Sequence, residues 1–541
     1  MQPFFSALSL KVSTSKLPFI SVVLLTNVCA SAFPLTAASR HSPTPVSVCA
    51  ACAVDAMVPA PAVSVRGSKT IIVEGHRDAG EASVSTRAMK YLPFKVPKGV
   101  AQITIHREYD NGGNPTRKNT VDFGLFDDRG TKNGFRGWQG GSPGDFVITG
   151  NAATCSPHAV PGPLPAGRWS IAQYYLVSAP TGLNYKYTIT FSTEGTKPPA
   201  TFSAPPAYAP GVIKTGPGWY AGNLHAHSLH SDGGRTFSDL IGYCGAAGFD
   251  FMVSSEHNTF TSQFRFPEAA QAHPNVLLLY GDEFTSPGGH ANITGPEPGR
   301  WFDFRTDPGD GKLPGTIQEA HRQGALFTVN HPFAPCTSCT WVYPPTEWEQ
   351  ADAIEVWNGA WTTDDRRATD LWDYLLKSGR HIRAFGGTDY HRTDNALVPA
   401  ACVYADSLST PAIMDGLRRG HVILSESPKG PKVFLQPADS DGKTAEVLPG
   451  DTIPAPQTGE PLHLSAHVTG GNGLFLRVVW AFGETVLPVT GDDITVPVTI
   501  PPQSDRPLVY VRTELLRGSE KPDEAAMAAL TNPLYVGRGE G

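Results

Sequence analysis

The sequence predicts an α/β chain in which a central strand-and-helix unit, closed or nearly closed into a barrel, stands between two β-sandwich units. Three observations predict it. Strand and helix signals alternate from about residue 218 to 427, the pattern of a parallel sheet covered by helices. On either side, over 65–195 and 430–541, short runs alternate apolar and polar with period two. A proline-rich stretch over 196–217 separates the first all-β region from the centre. The 541 residues leave room for three or four domains at roughly 150 residues each. The net charge of −7 and the lack of a long basic run argue against a nucleic-acid partner, which needs clustered Lys and Arg.

Taken in order, residues 1–32 read as a signal peptide. Lys11 and Lys16 form a basic start, Leu17 to Leu25 an apolar run, and Ala30-Ser-Ala32 a cleavage site. The apolar run is shorter than the roughly 20 residues of a membrane span. The mature chain is therefore expected in the periplasm or secreted, with no stable span. Residues 33–64 read as a flexible leader rich in Ala, Ser, Pro and Val. Cleavage would leave Cys49, Cys52, Cys155, Cys244, Cys336, Cys339 and Cys402, an odd number, so at least one thiol has no partner within the chain. Cys336 and Cys339 are placed to close a local loop. The first sandwich is drawn from runs at 70–74, 101–106, 122–126, 145–149, 168–172 and 185–191, whose aromatics read as core.

In the centre, Gly218 to Leu224 reads as a strand. Thr236 caps a helix over 237–247 that Gly248 ends. Strands follow at 249–253 and 275–280. Thr316 and Glu319 form a capping box for a helix stopping at Gly324. Strands at 325–329 and 353–357, a helix over 365–377, a strand at 381–385, a helix from Thr410 to Gly420 and a strand at 421–424 complete the unit. Runs at 462–468, 474–480, 494–498 and 508–512 predict the second sandwich.

Function in such barrels sits at the C-terminal ends of strands. Those ends carry His225 and His227, His257, Glu283, His331, and Asp389 with His391. Residues two apart on a strand face one side, so His225 and His227 can aim at one point. Imidazole is the commonest ligand for zinc-type metals, and Asp232 adds an oxygen. A polynuclear metal site is the reading that joins these ends.

The series His225-Ala-His227 with Ser231-Asp-Gly233, Glu256-His-Asn258, Gly281-Asp-Glu283 with Gly289-His-Ala-Asn292, Asn330-His-Pro332 and Gly387-Thr-Asp-Tyr-His391 resembles the motifs of the PHP (polymerase and histidinol phosphatase) superfamily. Glu355-Val-Trp-Asn-Gly359 and the two flanking β units resemble its CehA/McbA-type metallohydrolases, which include carbaryl hydrolases. The resemblance implies a distorted (β/α)7 barrel holding two or three divalent ions (Zn, Mn or Fe). It implies one ion on His225, His227, Glu283 and Asp389, a second on Glu283, His290 and His331, and a third on Asp232, His257 and His391. Three such ions outweigh the charges of Asp232, Glu283 and Asp389. The site would lower the pKa of a bridging water toward neutrality and supply hydroxide as nucleophile.

That positive balance favours an anionic substrate, so a phosphoesterase acting on a small-molecule ester is the first expectation. A carbamate or carboxylic ester hydrolase is the alternative. A metal-stabilised glycan-binding protein is the reading from another class. His257, His391 and Asp389 are the expected catalytic residues, with the two histidines able to protonate a leaving group. Arg235, Arg366 and Asn358 are candidate substrate contacts, with Arg367 beside them, because a guanidinium fork matches phosphate oxygens. Trp357, Trp361 and Tyr390 suit either an aromatic pocket or packing. The oligomeric state is left open.

Overall fold

A computed structural model describes residues 67 to 537, apart from 84, 112–118, 178, 337, 393–395, 440–445 and 504–506. The expected signal peptide and leader lie outside the described residues, as do Cys49 and Cys52. No helix among the described residues is long and apolar enough to cross a membrane.

The N-terminal region forms two four-stranded antiparallel sheets. One orders Ser68–Arg77, Leu183–Ser192, Gln102–Tyr109 and Phe146–Thr149; the other orders Met89–Val96, Gly167–Val177, Thr120–Phe126 and Phe135–Gly140. Alternate residues face inward, and Phe94, Ile103, Phe123, Phe146, Trp169 and Tyr187 close a shared core. The strands Met89–Val96 and Phe135–Gly140 carry Pro93, Gly137 and Gly140 between them, residues that weaken a strand signal. Residues 196–213 hold no regular element, yet they pack. Tyr208, for example, stacks edge-on against Phe266 and accepts a hydrogen bond from the Leu278 N–H at 3.0 Å.

The seven expected central strands are all present, but their ladder does not close into a barrel. They divide between two sheets. One holds Leu277–Leu279, Phe251–Val253 and Lys214–Asn223 in parallel, followed by Ala400–Leu408 and Val422–Ser425, both antiparallel. The other holds the hairpin Gly281–Ser286 and Gly289–Thr294, then Leu326–Val329, Ala353–Asn358 and Arg383–Gly387. The hairpin and the Ala400–Leu408 strand have no counterpart in the sequence reading. Each introduces antiparallel neighbours, which interrupts the uniform parallel stagger a closed βα barrel requires. Single-residue parallel bridges, His257 to Glu283 and Ala226 to Tyr390, pair strand ends of one sheet with those of the other.

The C-terminal region is not a free-standing pair of sheets. Ala526–Thr531 pairs with Val422–Ser425, so the first central sheet runs on through Tyr510–Arg517, Phe475–Trp480 and Gly483–Pro488. The three-stranded sheet of Lys432–Pro437, Leu462–Thr469 and Asp493–Ile500 shares a core with these strands. Pro497 sits in the strand at its edge, where a missing N–H costs least.

The helices follow local chemistry. Phe237–Ala247 starts at Thr236, whose hydroxyl accepts from the Asp239 N–H, and ends at a left-handed Gly248. Thr363–Lys377 has a capping box from Thr362 and Asp365. Thr410–Arg419 ends at left-handed Gly420. The expected start at Thr316 is displaced. The helix there is Leu313–Arg322, opened a turn earlier by Pro314 in its first turn.

Candidate metal centre

The strand-end loops that pair across the two sheets bring the expected ligands together. The Glu283 N–H donates to the Glu256 carbonyl and the Asn258 N–H to that of Glu283, both at 3.0 Å, which fixes His257 beside Glu283. The Asp389 N–H donates to the His225 carbonyl and the His227 N–H to that of Tyr390, both at 2.9 Å, which fixes Asp389 beside the two histidines. Two close approaches depend on glycine. A Cβ on Gly387 would lie 2.3 Å from the His225 Cβ, and one on Gly233 would lie 2.1 Å from the His227 carbonyl oxygen. Asn258, His331 and Asp389 hold left-handed φ values of 56°, 23° and 45°. Non-glycine residues rarely adopt that region, and such strain gathers at functional loops.

Glu283 is fully buried at the centre. Its carboxylate oxygens lie 3.2 Å from His225 Nε2, 3.4 Å from His227 Nε2, 2.7 Å from His257 Nδ1, 3.2 Å from His290 Nδ1 and 3.4 Å from His331 Nε2. Asp389 Oδ1 lies 3.3 Å from His225 Nε2, 3.1 Å from His227 Nε2 and 3.4 Å from His391 Nδ1. Asp232 Oδ1, on the exposed side, lies 3.2 Å from His391 Nε2 and 3.6 Å from His257 Nε2. All nine residues expected as ligands thus share one cluster. They form overlapping groups whose N and O atoms lie within 4.8 Å of one another.

Burial opposes every charge here, and the protons divide accordingly. Burial, then His391 and His257, lower His227 to about 3. Burial likewise brings His290 down to about 4 against the pull of Glu283. Both stay neutral, the form in which imidazole ligates. Burial would raise the Glu283 carboxyl, but His257, His225 and His290 hold it well below the usual range. His257 rises to about 9 because Glu283 and Asp232 overcome its desolvation.

The donor set fits divalent cations. His225 Nε2, Glu283 Oε2, His290 Nδ1 and Nε2, and His331 Nδ1 are buried without a hydrogen-bond partner. An unsatisfied buried polar atom costs about 1–3 kcal/mol, so this many in one place calls for an occupant that accepts lone pairs. Ligands about 2.0–2.2 Å from a common ion stand roughly 3.0–3.4 Å from each other. Most of the N···O separations above fall in that interval.

Around the cluster stand residues with roles the sequence did not disclose. Glu355 is the one carboxylate in a strand that is otherwise apolar up to its terminal Asn358, and it is buried. It accepts from His225 Nδ1 at 2.9 Å and from the His331 N–H at 3.0 Å. A buried Glu is uncommon unless paired, and that was the signal available. A carboxylate behind a ligating imidazole sets its tautomer and orientation. Glu355→Gln is therefore expected to lower metal affinity or kcat/KM by about 10–100-fold, measured by metal titration and steady-state kinetics. Glu256 accepts from the Ser228 and Ser231 hydroxyls and shapes the loop carrying Asp232. Asn330 Nδ2 donates to Glu283 Oε1 at 2.9 Å.

The substrate-contact candidates separate. Asn358 Nδ2 donates to Glu355 Oε2 at 2.9 Å and Asp389 Oδ2 at 3.3 Å, so it orients site carboxylates. Arg235 is half-buried, with its Nε on the Tyr390 hydroxyl at 2.6 Å. Arg366 is a correction. It is buried, its Nη1 pairs with Glu514 of the C-terminal sheet at 3.1 Å, and it serves that junction. Arg367 is exposed, with its guanidinium 4.2 Å over the Phe333 ring, two residues beyond His331. Trp357 and Tyr390 are buried packing residues, and Trp361 is half-buried. Cys336 and Cys339 form a disulfide in the loop that follows His331.

No protein-family model matches the sequence, and none of the curated proteins matches it. Solved structures overlap parts of it. A two-domain protein from Bacteroides vulgatus, described as containing a predicted PHP-like metal-dependent phosphoesterase, is 19% identical, covers 61% of this chain and 100% of its own, and gives a TM-score of 0.35. A proposed metal-dependent phosphoesterase from Bifidobacterium adolescentis is 14% identical over 37% of this chain and 96% of its own, with a TM-score of 0.26. An amidohydrolase from Chromobacterium violaceum with bound sulfate and no metal is 16% identical over 32% of this chain and 88% of its own, with a TM-score of 0.25.

Proposed function

We propose that the chain is a metal-dependent hydrolase of the PHP type, acting first on phosphate esters and exported from the cytoplasm by its N-terminal segment. The observation that carries the reading is the convergence of nine ligand-capable side chains with five buried donor or acceptor atoms left unsatisfied. His225, His227, Glu283 and Asp389 would hold one divalent ion. Glu283, His290 and His331 would hold a second, and Asp232, His257 and His391 a third. Bound ions of this class activate water near neutral pH and polarise the oxygen of a substrate.

The chain's own residues do the rest. Glu283 ties the inner groups together and brings negative charge where desolvation makes it strongest. Glu355 and Asn358 hold His225 and Asp389 in register. Asp232, His391, Asp389 and His257 are the more exposed members, with side-chain exposures of 48%, 27%, 22% and 18%, so the substrate enters from their side. Either histidine, when outside an ion's shell, can hold a proton on Nε2 and pass it to the departing oxygen. Arg367 offers an anionic group an exposed guanidinium beside Phe333, in the loop after His331. Carbamate or carboxylic esters are the second reading, supported by Trp361 and Phe333, which remain partly open. The glycan-binding reading loses support because the N-terminal aromatics named above are core.

The test is a hydrolysis panel on protein loaded with Mn or Zn. It compares p-nitrophenyl phosphate, bis-p-nitrophenyl phosphate, 1-naphthyl acetate and 1-naphthyl methylcarbamate, with His331→Ala as control. Phosphate esters are expected to lead in kcat/KM by tenfold or more. A lead for the naphthyl esters would put the carbamate reading first. No turnover above the control, with glycan capture that survives a chelator, would favour the binding protein.

A further inference from the structure

The loop that presents Asp232 is held from outside the central unit. Ser231, its neighbour, has one carbonyl oxygen with two donors on it, and both come from the N-terminal sandwich. Ser142 Oγ donates to it at 2.8 Å, and His158 Nε2 donates at 2.9 Å. A third contact lies beside them, where His230 Nδ1 donates to the Pro157 carbonyl at 2.7 Å. His158 is buried, and among the described residues its Nδ1 has no hydrogen-bond partner, so the proton sits on Nε2, which donates to that carbonyl.

These donors are themselves braced. Arg107 spends its guanidinium on the carbonyls of Val121 (2.9 Å), Gly140 (2.8 Å), Gly141 (3.2 Å) and Ser142 (2.9 Å), clamping the turn that carries the Ser142 hydroxyl. Gln139 Nε2 adds bonds to Ser142, Pro143 and Gly144. His158 lies next to Ala159, which bridges to Gly137 of the same sheet edge. From the opposite side, the Ser231 hydroxyl bonds Glu256 at 2.6 Å. Ser231 is thus pinned at both its carbonyl and its side chain, and the next residue is the one carboxylate of the outer group.

We infer that Ser142 and His158 of the N-terminal sandwich are positioning residues for the metal centre, acting through the Ser231 carbonyl to set Asp232 and with it the outermost ion. The sandwich is then a structural part of the active site. This rests on the hydrolase reading above. Supporting contacts behind a ligand commonly govern affinity as well as rate, because a ligand misplaced by a fraction of an ångström binds its ion poorly.

The test uses the full chain and a Zn or Mn titration by calorimetry, with metal content after dialysis measured by plasma mass spectrometry. Ser142→Ala combined with His158→Leu is expected to weaken the weakest-bound equivalent at least tenfold and leave the tighter ones unchanged. kcat falls by a similar factor with KM little altered. Ser142→Thr with His158→Gln restores a hydroxyl and an N–H donor and should recover both. Circular dichroism and Tm establish that the variants fold. Should the double variant fail to fold, Ser142→Ala alone carries the test, with a threefold or greater loss of the same equivalent. A folded variant that binds every equivalent as the wild type does overturns the inference and leaves the hydrolase reading standing. A wild-type chain that takes up no metal overturns both.

Discussion

Glu283→Gln is expected to abolish hydrolysis with the fold intact. The carboxylate lies within 3.4 Å of five imidazoles and is common to the groups of His225 and His227 and of His257 and His290. Among the described residues it is the only carboxylate common to two of the groups. Glutamine keeps the shape and hydrogen-bonding size but removes the charge, and in a desolvated site that charge is what would balance bound dications. One preorganised electrostatic group is typically worth about 10²–10³ in kcat. On the proposed assignment Glu283 would serve two ions, so the loss should exceed that and also exceed the effect of Glu355→Gln, which acts one step removed. The measurement is kcat/KM on the best phosphate ester together with bound metal per chain. Two outcomes would contradict the assignment: activity within tenfold of wild type, or full metal occupancy in the variant.

Much of this candidate centre was legible because its ligand-capable side chains sit where local rules place them. His225 and His227 follow a strand and share a face by period two. His257, His331 and Asp389 each follow a short apolar run that stops at a loop. Their convergence needs only that the strands lie side by side. Caps were legible for the same reason, since Thr236 and Gly420 act within four residues of themselves.

What depended on partners far away in sequence was not legible. Ser142 and His158 meet Ser231 across 89 and 73 residues, and nothing near any of the three announces it. The Ala400–Leu408 strand is antiparallel to both its neighbours, and periodicity carries no direction. Arg366 looked like a phosphate ligand on residue type alone, and only the fold reveals Glu514 beside it.

That pairing carries the other large effect. Glu514→Ala is expected to destabilise the chain by about 3–5 kcal/mol, the cost of breaking a buried ion pair by removing one partner. Glu514 is fully buried and accepts from Arg366 at 3.1 Å, Arg512 at 2.7 Å and Arg477 at 2.9 Å. Arg512, itself buried, also grips Asp373 through Nε at 2.7 Å and Nη2 at 2.6 Å, with the Tyr510 hydroxyl on the same carboxylate. Arg366 and Asp373 belong to the helix Thr363–Lys377, so the network joins that helix to the C-terminal sheet. Without Glu514, three guanidinia face each other in a desolvated junction.

The pH dependence has a definite sign. Burial would raise the Glu514 carboxyl, but Arg512, Arg366 and Arg477 overcome it and hold the pKa below its ordinary 4.5. A depressed folded pKa contributes stability that is present above the unfolded value and is lost as pH falls through the folded one. Wild-type protein should therefore lose stability on acidification below about pH 4.5, and Glu514→Gln should show less of that slope, starting from a lower plateau. Urea unfolding at a series of pH values measures both. Parallel profiles for wild type and Glu514→Gln would remove this carboxylate from the acid response. The junction also reaches the metal centre. Asp365, next to Arg366, accepts from the Asn358 N–H at 2.8 Å, and the Asn358 side chain touches Asp389. Loosening the helix should thus lower kcat at permissive temperature while KM stays close to wild type, because what shifts is a ligand's support and not the surface a substrate meets.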